Sequence, residues 1–124
     1  MIFISIMEND STPDPMIHAM AHVGGKWKLM ILYVIDNGSN RFGAMQREIP
    51  KITKQMLSQQ LRLLEADGLL KRKIFAEIPP RVEYSLTKRG RALLKVVNAM
   101  KSWGEQDLAA AEKPEEKSQL AMDL

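Results

Sequence analysis

Between Ile52 and Leu70 the chain carries a segment that permits few structures. Thr53 is a strong N-cap, since its hydroxyl can take one of the unpaired amides that open a helix. Leu57, Leu61 and Leu64 follow at the i, i+4, i+7 spacing of a single helical face, supported by Met56 and Leu63. Gly68 supplies the left-handed residue that stops a helix. The opposite side carries Lys54, Gln55, Ser58, Gln59 and Arg62, and no acid occurs from Lys51 through Leu64. One face must be buried, and the other displays long hydrogen-bonding side chains without a negative charge among them.

The flanks predict what this helix packs against. Asp14 caps a first helix opened by Pro15, with Met16, Ile17, Met20 and Val23 as its buried side and Gly24-Gly25 as its end. A second helix spans about Lys26 to Asp36, with Trp27, Met30, Ile31, Val34 and Ile35 on one face. After the turn signal Asn37-Gly38-Ser39-Asn40, Arg41-Phe42 reads as a minimal strand. Gly43 to Ile49 then forms a short helix burying Met45 and Ile49. Beyond Gly68 two extended runs, Leu69 to Phe75 and Arg81 to Leu86, form a hairpin whose tip holds Pro79-Pro80, where no ladder donor is needed. Val82, Tyr84 and Leu86 alternate with Arg81, Glu83 and Ser85, as in a half-buried strand. Thr87 caps a long last helix from about Lys88 to Ala111, too apolar for one narrow stripe. Such a surface calls for a partner.

Charge narrows the function. The net charge is +3, but residues 41–101 hold fourteen Lys/Arg against five acids, a local +9, and the remaining segments carry −6. A basic middle between acidic ends is the footprint of a polyanion binder. The absence of cysteine excludes disulfides, thiolate metal sites and thiol redox chemistry within the chain. The apolar start, Met1 to Met7, is short and precedes Glu8 and Asp10, which suits neither a signal peptide nor an anchor. No apolar run approaches the roughly 20 residues of a membrane span. A cytoplasmic protein with no membrane partner is expected, with a flexible tail over 1–12, one domain over 13–112, and a charged, disordered tail over 113–124.

Helix, turn, acid-free helix and basic hairpin, in that order, predict an α+β, mostly helical fold. It is a winged helix-turn-helix with a two- to three-stranded wing sheet and terminal dimerisation helices. Gln pairs bidentately with adenine, and Arg or Lys with the O6/N7 edge of guanine. Amides at the helix N-terminus favour phosphate. Basic residues of a wing follow the backbone or enter a narrow minor groove.

The chain resembles the HxlR-type, MarR-like winged-helix transcriptional regulators. The resemblance runs from about Pro15 to Gly104 and rests on Gly24-Gly25-Lys26-Trp27, Arg41-Phe42, Met56-Leu57-Ser58, Leu61 and Leu64-Glu65. It continues through Asp67-Gly68-Leu69, the run from Pro79-Pro80-Arg81 to Thr87, Gly90 and Trp103-Gly104. It implies a prokaryotic regulator that binds double-stranded DNA as a homodimer through an inverted-repeat operator, the first and last helices forming the dimer. On that basis Thr53, Lys54, Gln55, Ser58, Gln59 and Arg62 fall on the reading helix and Lys73 and Arg81 on the wing; Lys51 before the helix and Arg72 on the hairpin complete the expected DNA-binding residues through phosphate contacts. Lys71 and Arg89 are expected to add phosphate contacts. Many relatives have Cys-Pro where this chain has Asp14-Pro15, so thiol sensing does not carry over. Lys51 stands where glycine is frequent. The resemblance leaves room for a small-molecule effector and names none.

Two other features weigh less. His18 and His22 lie four apart on the first helix, a spacing that can hold a metal, but no third strong ligand accompanies them. Nine Met more often fill core and dimer gaps than line a pocket. No nucleophile–base pair, phosphate loop or paired acid supports catalysis, and no cofactor is implied. The alternative function is a winged-helix protein-interaction module, its basic face meeting an acidic partner.

Overall fold

The computed structural model describes residues 12–112. The tails expected over 1–12 and 113–124 lie outside that range, Thr12 apart.

Helix α1 (Pro15–Val23) begins where the sequence places it. Asp14 Oδ1 accepts from the amides of Met16 and Ile17 at 2.8 and 3.1 Å. Helix α2 (Lys28–Asp36) starts two residues later than expected, because Trp27 occupies the N-cap. It buries Ile31, Leu32, Val34 and Ile35. Leu32, off the predicted face, is fully enclosed because α2 packs against neighbours on more than one side. Helices α3 (Phe42–Glu48) and α4 (Lys54–Ala66) form the helix-turn-helix, with Met45, Ile49, Leu57, Leu61 and Leu64 in one core cluster.

Strands β1 (Leu70–Phe75) and β2 (Arg81–Leu86) pair antiparallel, from Leu70 opposite Leu86 to Phe75 opposite Arg81. The sheet has two strands among the described residues. The strand expected at Arg41-Phe42 does not form. Instead the Asn40 carbonyl accepts a single bond from the Tyr84 amide at 2.9 Å, and Phe42 already begins α3. The expected terminal helix is divided at Leu93 into α5 (Lys88–Ala92) and α6 (Leu94–Glu112), where the Leu93 amide reaches back to Gly90 O, a tighter three-residue turn.

Two small residues dock this terminal pair. Thr87 Oγ1 accepts from the Gly90 amide at 3.0 Å and donates to Gly68 O at 2.6 Å, while its own amide bonds Leu69 O at 3.2 Å. Gly90 is buried against that same Leu69 carbonyl, where a Cβ would collide with it.

The apolar side proposed for α1 is not core. Val23 alone on that helix is buried; Met16 and Met20 are 66% and 53% exposed, and Ile17 is exposed too. On α6, Val97 is buried while Val96, Met100, Trp103 and Leu108 face outward. Helical spacing groups these residues correctly, but the described chain places nothing opposite them. Met56 and Leu63, expected to support the leucine face of α4, are also largely exposed, since they lie on its flank.

The collision at Gly90 gives a direct test. Gly90→Ala should cost about 1–3 kcal/mol of stability, the range for overpacking a closed site, measured as a lower urea midpoint at unchanged slope. A change within experimental error would mean that this contact does not position the terminal helices.

Candidate nucleic-acid interface

The leucine face of α4 sets the direction of everything opposite it. Leu57, Leu61 and Leu64 are at most 2% exposed, so Lys54, Gln55, Gln59 and Arg62 point to solvent and Ser58 lies half-buried beside them. The structure brings all five onto one side of the helix. Thr53 stands at its head, where Oγ1 accepts from the Met56 amide at 3.1 Å. That bond uses an acceptor site and leaves the hydroxyl proton as a donor. At the far end Gly68 has φ 72°, and the Leu69 amide closes on Leu64 O at 2.9 Å. This glycine stop ends α4 before the chain enters the wing.

Lys51 sits in the tight connection before α4 with φ 65°, among the described non-glycine residues the one in the left-handed region. A side chain there costs on the order of 1 kcal/mol of backbone strain. Its ammonium is exposed next to the N-terminus of α4.

The wing cations divide into two kinds. Lys71 and Lys73 are exposed on β1, and Lys73 Nζ lies 4.9 Å from the centre of the Phe75 ring. Arg72 is exposed as well but leans toward α4, 3.7 Å from Glu65 Oε1 and close to Tyr84. Burial raises the Tyr84 hydroxyl above its ordinary pKa of 10.0, with Arg72 acting against that rise and Glu65 adding to it. Arg81 is the most engaged of the four. It meets Glu77 at 3.1 Å and Glu83 at 2.7 Å, and it stacks on Phe75 with its guanidinium carbon 3.9 Å from the ring centre. Its Nε is buried with no hydrogen-bond partner. Arg81 is thus bound into the hairpin by two carboxylates and a ring, whereas Lys71 and Lys73 have neither carboxylate partner. Arg89, expected near phosphate, instead donates to the Asp67 carbonyl at the C-terminal end of α4.

Met56 was missed as a site candidate because its spacing reads as core. It is 41% exposed in the first turn of α4, next to Gln55 and Gln59. An exposed thioether among amides suits an apolar contact with a thymine methyl.

Comparison with known proteins agrees with this geometry. The profile of the HxlR-like helix-turn-helix matches residues 22–112. The chain is 42% identical over 120 residues to the HTH-type transcriptional regulator YdeP of Bacillus subtilis, covering 92% of this chain and 94% of that one. It is 44% identical over 86 residues to an HTH-type regulator of Methanothermobacter thermautotrophicus, covering 69% and 66%. Among solved structures, the redox regulator HypR in its oxidized form superposes with a TM-score of 0.72 at 45% identity, over 75% of this chain and 96% of that one. The reduced transcriptional regulator YodB from B. subtilis gives 0.65 at 33% identity, over 77% and 94%.

The Arg81 cluster should act on the wing rather than on the whole fold. Arg81→Gln is expected to speed amide exchange across 74–83 while lowering global stability by less than about 1 kcal/mol, as for half-exposed ion pairs. Unchanged exchange in the hairpin would show that the cluster does not hold the tip.

Proposed function

Because the chain belongs to the HxlR-like helix-turn-helix family of transcriptional regulators, we propose that it binds an operator of inverted half-sites as a homodimer. The observation that carries this reading is the exposed face of α4, polar or basic and without an acid, beside a hairpin that keeps Lys71 and Lys73 exposed. Gln55, Gln59 and Arg62 read base edges, with Met56 against a thymine methyl. Thr53, Lys54 and Ser58 hold the backbone around the head of α4, joined by Lys51. Lys71 and Lys73 follow the phosphates along the wing. Arg72 and Arg81 shape the wing and lend it charge, but each already faces a carboxylate of its own chain.

The unpaired apolar faces of α1 and α6 support the dimer. Met16, Ile17 and Met20 on one helix and Met100, Trp103 and Leu108 on the other are all exposed, and exposed apolar helix faces of this kind mark interaction surfaces. A two-fold partner would cover them and space two reading helices about 34 Å apart, one turn of DNA. HypR carries the name of a redox regulator; this chain has no cysteine, so a thiol switch is not part of the proposal.

Selection from a pool of random duplexes should return an inverted repeat. On the selected duplex Arg62→Ala should lose about 1–3 kcal/mol of binding and lose less on scrambled DNA. Equal losses on both would remove Arg62 from base reading. Light scattering should give twice the 14.1 kDa chain mass; a monomer at micromolar concentration would rule out the two-half-site arrangement.

A further inference from the structure

A cavity of about 250 Å³ lies between α1 and the start of the terminal helices, lined by His18, His22, Arg89, Ala19, Leu69 and Leu93 with their neighbours. Its polar and apolar linings are of distinct kinds. The polar side holds a guanidinium and two imidazoles and no carboxylate, while the rest is aliphatic. We propose that this cavity binds a small organic carboxylate, its charged end on Arg89 and the histidines and its apolar body among Ala19, Leu69 and Leu93.

Charge and hydrogen bonding favour that occupant. A guanidinium has five donors in a planar fork, and Arg89 commits Nη1 to the main-chain carbonyl of Asp67, not to a carboxylate. It keeps its charge and further donors for a carboxylate, which it can grip bidentately. Lys88 and Arg91 flank it on α5, a helix without an acid. Asp67 stands beside the cavity, its Oδ2 3.1 Å from His22 Nδ1. That contact fixes the ring and leaves Nε2 as its other polar atom, while His18 packs edge-on at 4.7 Å between ring centres. Pockets for drug-sized ligands run to about 300–1,000 Å³, so this one suits a single ring or a short branched chain. A metal is a poorer occupant, because no group of three His, Cys, Asp or Glu side chains gathers among the described residues.

The placement links the site to regulation, a consequence that rests on the function proposed above. With roughly 100° between successive helical residues, His18, Ala19 and His22 face the cavity while Ile17 and Met20 face away from it, toward the proposed partner, with Val23 and Met16 along the boundary between the two sides. Asp67 is the C-cap of α4. An occupant would therefore sit between the dimer helix and the end of the reading helix, and would set their separation.

The binding test needs no DNA. The alanine methyl resonances of the full chain, Ala19 and Ala92 above all, are followed while benzoate, phenylacetate or 4-methylpentanoate is added. At least one acid should give saturable shifts at Ala19 and Ala92. Its uncharged analogue, such as benzyl alcohol, and the Arg89→Gln variant should each bind about tenfold or more weakly, the effect of losing a charged hydrogen bond. Ala19→Leu, which fills the apolar end, should abolish the shifts while circular dichroism stays native. No saturable shift with any of the three acids, or equal binding by Arg89→Gln, would overturn the site. On the selected duplex the bound acid should change affinity about threefold or more; unchanged affinity would overturn the link to DNA and leave the site standing. If no duplex is selected, the methyl shifts still decide the site by themselves.

Discussion

The burial of Leu57, Leu61 and Leu64 fixes how α4 is rolled about its axis, and the functional surface depends on that roll. Each enclosed leucine contributes about 2 kcal/mol relative to exposure. Turning the helix by one residue, roughly 100°, would bring leucine into water and push Ser58 or Arg62 toward the core without partners. The side with Lys54, Gln55, Gln59 and Arg62 is therefore outward because its opposite has no alternative. Thr53 and Gly68 fix the two ends, and Thr87 ties the stop to the terminal helices through Gly68 O.

The wing shows a division that residue types alone do not reveal. Lys71, Arg72, Lys73 and Arg81 are four cations of one hairpin, equal when read as sequence. Register separates them. Phe75 stands opposite Arg81 and Lys73 opposite Glu83, so the Arg81 guanidinium falls onto the ring and between two carboxylates. Arg72 meets Glu65 because β1 leaves α4 immediately after its glycine stop. Cations that organise the hairpin and cations that remain exposed can then occupy adjacent positions.

The terminal helices illustrate a different limit. Spacing correctly placed Met16, Ile17 and Met20 together, and likewise the apolar residues of α6, because a helix repeats every 3.6 residues whatever surrounds it. Whether such a face becomes core depends on what the rest of the chain sets against it, and periodicity carries no information on that. The inner side of α1 reached the body through a half-buried hydrogen bond, His22 to Asp67, between residues 45 apart in sequence. Such a pairing leaves no local signal, and neither does the cavity beside it.

Caps, glycine stop and leucine spacing were local, so the sequence by itself determined the helix-turn-helix, the extent of α4, both hairpin strands and which face of α4 is polar. Each depends on residues within about two turns of one another. Tertiary structure decided what depends on contact across the chain: that Asn40 accepts one bond from the Tyr84 amide rather than joining a third strand, that Arg81 and Arg89 are held by their own chain, and that the apolar side of α1 is surface. The physical reason is common to all three. A backbone conformation follows from near neighbours, but the fate of a side chain's charge or apolar area depends on what the fold brings against it.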